Sequence, residues 1–129
     1  MSKAKVLVID DEDIVLTSCY RVLTPEGYDV KIATRGLDGL QMLKNDQYDV
    51  VLLDVKMPDM DGIEVLRRIK KEWPDIPVII ITGYSAISDA VFAIELGAYD
   101  YIEKPFVPNT ILSAVNKALG YEMEEQEGK

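Results

Sequence analysis

Short runs of apolar residues, rich in β-branched side chains, recur along the chain at intervals of roughly 20 to 27 residues. They occupy residues 6–9, 28–32, 50–53, 78–81 and 99–102. The runs VVLL at 50–53 and VIII at 78–81 are apolar on both faces, as central strands of a parallel sheet covered by helices must be. The alternation predicts an α/β fold, a doubly wound (βα)5 sandwich around a five-stranded parallel sheet.

The segments between these runs repeat their apolar residues with a helical period, so each is predicted to bury one face. Pro25 and Gly27 are placed to close the first helix, and Gly97 suits the end of the fourth. The predicted buried positions on three helices are Val15, Cys19, Val22 and Leu23; Ile63, Leu66 and Ile69; and Ile111, Val115, Ala118 and Leu119.

Composition narrows the class of protein. A chain of 129 residues, 48% of them hydrophobic, is enough for one domain with a core. The net charge of -9 argues against direct binding of nucleic acid or an anionic membrane. A single cysteine, Cys19, and no histidine exclude internal disulfides, histidine-dependent hydrolases and histidine-containing zinc sites. With no apolar stretch of about 20 residues, a cytoplasmic protein without a membrane span is expected.

Polar residues follow the predicted strands at their carboxyl ends. Asp10 and Asp11 follow the first, Asp54 the third and Thr82 the fourth, and the fifth leads into Lys104. Each alone has a simpler explanation, such as a helix cap, a turn or a surface charge. Together they are expected in one crevice, because ligands of open parallel sheets bind beyond the carboxyl strand ends. Converging carboxylates repel unless a cation relieves them, and oxygen ligands without histidine or cysteine favour Mg²⁺.

Such a site suits phosphoryl transfer, in which positioning and charge neutralisation dominate. Asp54 is the candidate nucleophile, forming an acyl phosphate. Lys104 would place positive charge on one phosphoryl oxygen, and the Thr82 hydroxyl would donate a hydrogen bond to another. Gly83 leaves room for the group to enter. The chain has no GxxxxGK[ST] loop, so a nucleotide phosphate is not held as in P-loop enzymes.

Four segments together resemble the receiver domain of two-component response regulators. They are the Asp10-Asp11 pair after KVLVI, VVLLDVKMPDMDG around Asp54, IITG at Thr82 and YIEKPF at Lys104. The resemblance covers residues 5–119 and implies the flavodoxin-like strand order 2-1-3-4-5. It also implies a receiver domain over residues 1–122, leaving residues 123–129 as an acidic tail or the start of a linker.

The resemblance further implies roles for individual residues. Mg²⁺ would be bound by Asp11, Asp54 and the backbone carbonyl of Lys56, with Asp10 acting through a water molecule. Asp54 would accept its phosphoryl group from a sensor histidine kinase. Thr82 and Tyr101 would then act as a switch, with Thr82 moving to the phosphoryl group and Tyr101 turning inward. The domain would be a two-state switch and not an enzyme with turnover.

Three positions carry alternatives. Tyr101 is equally compatible with an aromatic side chain that simply packs on a sheet edge. In the family, the positions of Lys56 and Tyr84 flank the approach to the phosphoryl group. The two side chains would slow the attack of water on that group, or Lys56 would pair with an acid of the metal-free site. The simplest alternative is that both point into solvent. The resemblance also implies a cis Lys104-Pro105 peptide bond.

Two other classes of protein compete with the receiver. Haloacid-dehalogenase-like phosphatases also place an aspartate nucleophile after a strand, but need a second aspartate where this chain has Lys56, and need room for a cap. A pseudo-receiver is a constitutive interaction module that keeps the fold without the chemistry. It would have lost at least one of the site residues, that is one of the acids, the threonine or the lysine, and this chain keeps them all.

The output of the switch is a separate question. The stretch ITGYSAISDAVFAIELGAYDYIEKPF resembles receivers attached to ATPase activators of the alternative sigma factor, which favours transcription regulation through an output domain. A freestanding receiver that acts by protein–protein contact is the alternative. A homodimer through the face of the fourth helix, fifth strand and fifth helix is a further candidate.

Overall fold

The computed structural model describes residues 3–83 and 87–121, and within them five parallel strands form one sheet in the order β2-β1-β3-β4-β5. The predicted doubly wound fold and its strand order are confirmed. The strands are β1 Lys5–Ile9, β2 Asp29–Ala33, β3 Val50–Asp54, β4 Val78–Thr82 and β5 Asp100–Glu103. The helices are α1 Asp13–Leu23, α2 Gly36–Asn45, α3 Gly62–Glu72, α4 Ile87–Glu95 and α5 Pro108–Ala118, with a 3-10 turn at Thr24–Glu26.

Strand boundaries differ from the apolar runs by one residue in several places. Tyr28 precedes β2 because its backbone N–H donates to the Leu23 carbonyl, closing the turn after α1. β3 and β4 extend to Asp54 and Thr82, which lie in register with Ile81 and Glu103. Asp54 and Thr82 therefore end their strands, whereas Asp10, Asp11 and Lys104 follow theirs, as predicted.

The sheet separates two apolar layers. Leu7 and Ile9 of β1 face one layer with α2, α3 and α4, while Val6 and Val8 face the other with α1 and α5. All four are fully buried, and burying such a side chain contributes about 1.5 to 3 kcal/mol. Two helix-covered faces explain why the central strands are apolar throughout.

The predicted helix faces are also confirmed, since their residues are buried or pack partly buried against these layers. Cys19 is fully buried, and burial raises the pKa of its thiol to about 12. It therefore behaves as a small hydrophobic residue. Gly27 (φ 97°) and Gly97 (φ 109°) adopt the left-handed conformation after the first and fourth helices, as their positions predicted.

Among the described residues, no helix combines the length and apolar character that a membrane crossing requires. The acidic segment 123–129 lies outside the described residues.

Candidate functional site

Three aspartates meet at the carboxyl edge of the sheet. β1 and β3 are neighbours, so Asp10 and Asp11, just after β1, lie beside Asp54 at the end of β3. One carboxylate oxygen from each lies within 4.8 Å of the other two. Asp10 is fully buried and Asp54 is 3% exposed, whereas Asp11 is open to solvent. The structure thus brings the predicted acidic cluster together.

Backbone hydrogen bonds orient the two buried carboxylates. Asp10 Oδ1 accepts from the Glu12 N–H at 2.9 Å, and Asp54 Oδ1 accepts from the Lys56 N–H at 3.2 Å. Asp10 Oδ2 is buried without a hydrogen-bond partner among the described residues. Three carboxylates with oxygens this close together, one of which holds a buried oxygen without a hydrogen bond, suit a hard divalent cation. The cluster is thus consistent with a metal site.

Lys104 brings positive charge to the carboxylates. Its Nζ lies 3.3 Å from Asp10 Oδ2, 3.6 Å from Asp54 Oδ2 and 2.6 Å from Glu12 Oε1. The approach to Asp10 is an ion pair without hydrogen-bond geometry, whereas the contact with Glu12 is a hydrogen bond. The Lys104 N–H donates to the Thr82 carbonyl at 2.7 Å, and the Lys104-Pro105 bond is cis, as expected.

Thr82 ends the neighbouring strand β4, and Gly83 follows it. Thr82 is fully buried, and its hydroxyl donates to the Gly83 carbonyl at 3.1 Å. A Cβ atom added at Gly83 would meet no atom of residues 3–83 and 87–121 within 4 Å, in agreement with the expected open space there. Tyr84 lies outside the described residues.

The loop between β3 and α3 is held by contacts that the sequence analysis did not predict. Asp61 caps α3 by accepting from the Ile63 N–H at 3.0 Å, and Asp59 accepts from the Gly36 N–H of α2 at 3.0 Å. A Cβ at Gly62 would lie 2.5 Å from the Asp54 carbonyl oxygen. The run MPDMDG before a helical pattern carried a usable capping signal.

Burial and mutual repulsion disfavour ionisation of the cluster. Burial, and then the charge of Asp10, raise the pKa of Asp54 to about 7, although Lys104 opposes this. Burial likewise raises the pKa of Asp10. Burial by itself lowers the pKa of Lys104, but Glu12, Asp10 and Asp54 raise it on balance. A cation would relieve this repulsion.

This electrostatic arrangement predicts a pH-dependent stability. The folded-state pKa of Asp54 exceeds its ordinary value of 3.8, so the folded state binds more protons and loses stability as pH rises from about 4 to about 7. We expect Asp54→Asn to stabilise the metal-free protein by about 1 to 3 kcal/mol at pH 8, and little at pH 4. Urea unfolding at both values checks this; an equal effect at both would contradict it.

Tyr101 is not part of the cluster. It lies on the edge strand β5 in register with Ile80, and it is 40% exposed. Thr82 lies two residues beyond Ile80 on β4, so Thr82 and Tyr101 are on the same face of the sheet. Lys56 is exposed at the start of the β3–α3 loop.

Known proteins resemble this chain over nearly its whole length. It is 37% identical over 98% of its length to a DNA-binding transcriptional regulator NtrC of Proteus hauseri, of which it covers 27%. A receiver domain protein (CheY-like) of Methanospirillum hungatei has a crystal structure with a TM-score of 0.87 and 34% identity, covering 99% of this chain and 100% of its own. The crystal structure of NtrX of Brucella abortus has a TM-score of 0.88 and 34% sequence identity, covering 93% of this chain and 27% of the NtrX chain.

The curated relatives extend well beyond the matched region, since the chain spans 27% to 50% of their length. The similarity therefore concerns one domain of those proteins. The response regulator receiver domain model matches residues 6–116, which include every member of the acidic cluster and Lys104. Receivers are domains of two-component response regulators and not enzymes with turnover. The chain belongs to the response regulator receiver domain family.

Proposed function

We propose that this receiver accepts a phosphoryl group on Asp54 from a sensor histidine kinase in a Mg²⁺-dependent reaction. The observation that carries the proposal is the convergence of three carboxylates and the Lys104 ammonium at one strand end. Of the three aspartates, Asp54 is the one that ends a strand, and its buried carboxylate lies 3.6 Å from the Lys104 Nζ. A phosphorylated state then changes an output.

The metal would be held by Asp11, Asp54 and the Lys56 backbone carbonyl, with Asp10 contributing through water. When bound, Mg²⁺ supplies positive charge to the phosphoryl oxygens. Asp54 attacks phosphorus with a carboxylate oxygen as the phosphorus–nitrogen bond to the donor imidazole breaks. Lys104 neutralises charge on the transferred group, and Thr82 is positioned to donate a hydrogen bond.

The switch would run from Thr82 to Tyr101. Their common sheet face and the partial exposure of Tyr101 support this role, because an inward turn would bury a ring that is now 40% exposed. The switched surface would then act on an output. This is either an attached output domain, with transcription regulation suggested by the similarity to the DNA-binding transcriptional regulator NtrC, or a separate protein bound by a freestanding receiver. Membership of the receiver family supports a cytoplasmic location. The net charge of -9 supports a chain that does not itself bind nucleic acid.

The test uses acetyl phosphate as the phosphoryl donor and intact-mass analysis. We expect one phosphoryl group per chain with Mg²⁺ and none after chelation with EDTA. An interaction module would stay unlabelled, and a phosphatase would consume the donor without accumulating label. Either result would overturn the proposal.

A homodimer through α4, β5 and α5 is supported by exposed apolar side chains. Val91 and Ile94 on α4, Tyr101 on β5 and Val107 before α5 are each at least 40% exposed. A groove of about 370 Å³ between β5 and α5 is lined by Tyr101 and Val107. Such a patch is typical of a surface that meets a partner.

We expect beryllofluoride, a mimic of the phosphoryl group, to shift the protein from monomer to dimer in size-exclusion chromatography with light scattering. Val91→Glu should prevent the shift without preventing labelling. Coinciding profiles with and without the mimic would contradict the dimer.

A further inference from the structure

Glu12 occupies an unusual place at the start of α1. It is the N-cap residue, yet its side chain makes no capping hydrogen bond. The side chains that cap helices well at that position are short ones such as Ser, Thr, Asp and Asn. The longer Glu12 side chain instead reaches Lys104, whose Nζ donates to Oε1 at 2.6 Å. Its polar contact is therefore with the lysine of the acidic cluster and not with the start of α1.

The contacts of Lys104 are unequal. Glu12 is its nearest acid, at 2.6 Å, compared with 3.3 Å for Asp10 and 3.6 Å for Asp54. Lys104 is 18% exposed and Glu12 is 52% exposed, so Glu12 approaches the ammonium from the solvent side. The ammonium is thus held between the buried carboxylates and an acid outside them.

We propose that Glu12 is a positioning residue that holds the Lys104 ammonium in the unphosphorylated state and weakens its contact with a phosphoryl group on Asp54. The inference rests on the proposed function of Asp54. A phosphoryl group adds negative charge and acceptor oxygens, for which Lys104 is the nearby cation. Any contact that Lys104 keeps with Glu12 competes with those oxygens.

The competition has a bounded size. An ion pair with one half-exposed member is screened by water and contributes little to folding. Its effect should therefore appear as a few-fold change in affinity for the phosphoryl group, with little change in stability. Glu12→Gln keeps the shape of the side chain and removes its charge.

Asp13 provides a matched control, because it lies in the first turn of the same helix and Asp13→Asn removes the same charge. No ion pair involves Asp13 within residues 3–83 and 87–121. The two variants change net charge equally, and they differ in contact with Lys104.

The experiment measures the dissociation constant of beryllofluoride at saturating Mg²⁺ by calorimetry for wild type, Glu12→Gln and Asp13→Asn. We expect Glu12→Gln to bind about threefold to fivefold more tightly, and Asp13→Asn to stay within about twofold of wild type. In the metal-free protein, the ¹⁵Nζ resonance of Lys104, assigned by its absence in Lys104→Arg, should shift in Glu12→Gln and not in Asp13→Asn.

Different results overturn different statements. Wild-type protein that binds no beryllofluoride would overturn the proposed function. Wild-type binding with an unchanged Glu12→Gln constant, or an equal gain in Asp13→Asn, would overturn the role of Glu12 alone. An unmoved Lys104 resonance in Glu12→Gln would also overturn it.

Discussion

Replacing Asp54 by asparagine is expected to abolish phosphoryl labelling by acetyl phosphate and Mg²⁺. The amide nitrogen is not a nucleophile for phosphorus, and the neutral side chain removes one carboxylate from the cluster. The variant should remain folded, because the amide oxygen can still accept the hydrogen bond from the Lys56 N–H. Intact-mass analysis over the time in which wild type becomes fully labelled measures the loss.

Asp75→Asn is the control for this substitution. Asp75 is an exposed residue before β4, at the amino edge of the sheet and therefore opposite the cluster. The Asp75→Asn variant should take up the phosphoryl group at the wild-type rate. If Asp54→Asn labelled as fast as Asp75→Asn, another residue would be the acceptor and the proposed function would fail.

Replacing Gly62 by alanine is expected to destabilise the domain by about 2 to 4 kcal/mol. The added Cβ would lie 2.5 Å from both the Asp54 carbonyl oxygen and the Val55 Cα, and 2.6 Å from the Val55 carbonyl oxygen. All three are backbone atoms, so relief requires α3 to move away from the end of β3. The Gly62 N–H bond to the Val55 carbonyl, at 2.9 Å, would be strained with it.

Gly83→Ala is the matched control, since a Cβ there meets nothing within 4 Å in the part of the chain that the structure describes. Chemical denaturation should show a large loss in the free energy of unfolding for Gly62→Ala, and a loss of less than about 0.5 kcal/mol for Gly83→Ala. Equal midpoints for the two variants would show that α3 does not press on β3 as described. Because the strain falls on Asp54 and its neighbour, labelling of folded Gly62→Ala should also slow.

Most of the fold could be predicted from the sequence because each strand contains a recognisable run of apolar residues. Runs such as VVLL at 50–53 are apolar on both faces, as in a parallel sheet that helices cover on both sides. The meeting of Asp10 with Asp54 followed from topology alone, since parallel strands end at the same edge. The errors were confined to strand ends, as at Tyr28, where a turn hydrogen bond replaced a ladder bond.

The unpredicted contacts depend on how separate elements pack. Glu12 and Lys104 are 92 residues apart, and the distance between α1 and the loop after β5 has no local sequence signal. The close approach of Gly62 to Asp54 is similar, because a glycine before a helix is compatible with many loop shapes. The sequence pattern places Tyr101 on β5, but the exposure of its ring depends on the packing around that strand and could not be predicted from the pattern.

The electrostatics connect the site with its use as a switch. Asp10 and Asp54 are buried together, and burial raises the pKa of both. The metal-free protein therefore holds an arrangement that a cation would stabilise. Under the proposed function, a phosphoryl group on Asp54 would then rearrange the contacts of Lys104.

The central claim is that Asp54 carries the phosphoryl group. Its most direct measurement is reduction of the labelled protein with sodium borohydride, which converts an aspartyl phosphate to homoserine, followed by peptide mass spectrometry. The account predicts homoserine at position 54 alone, dependent on both acetyl phosphate and Mg²⁺. Homoserine at position 10 or 11, or none in protein that carries the phosphoryl mass, would contradict it.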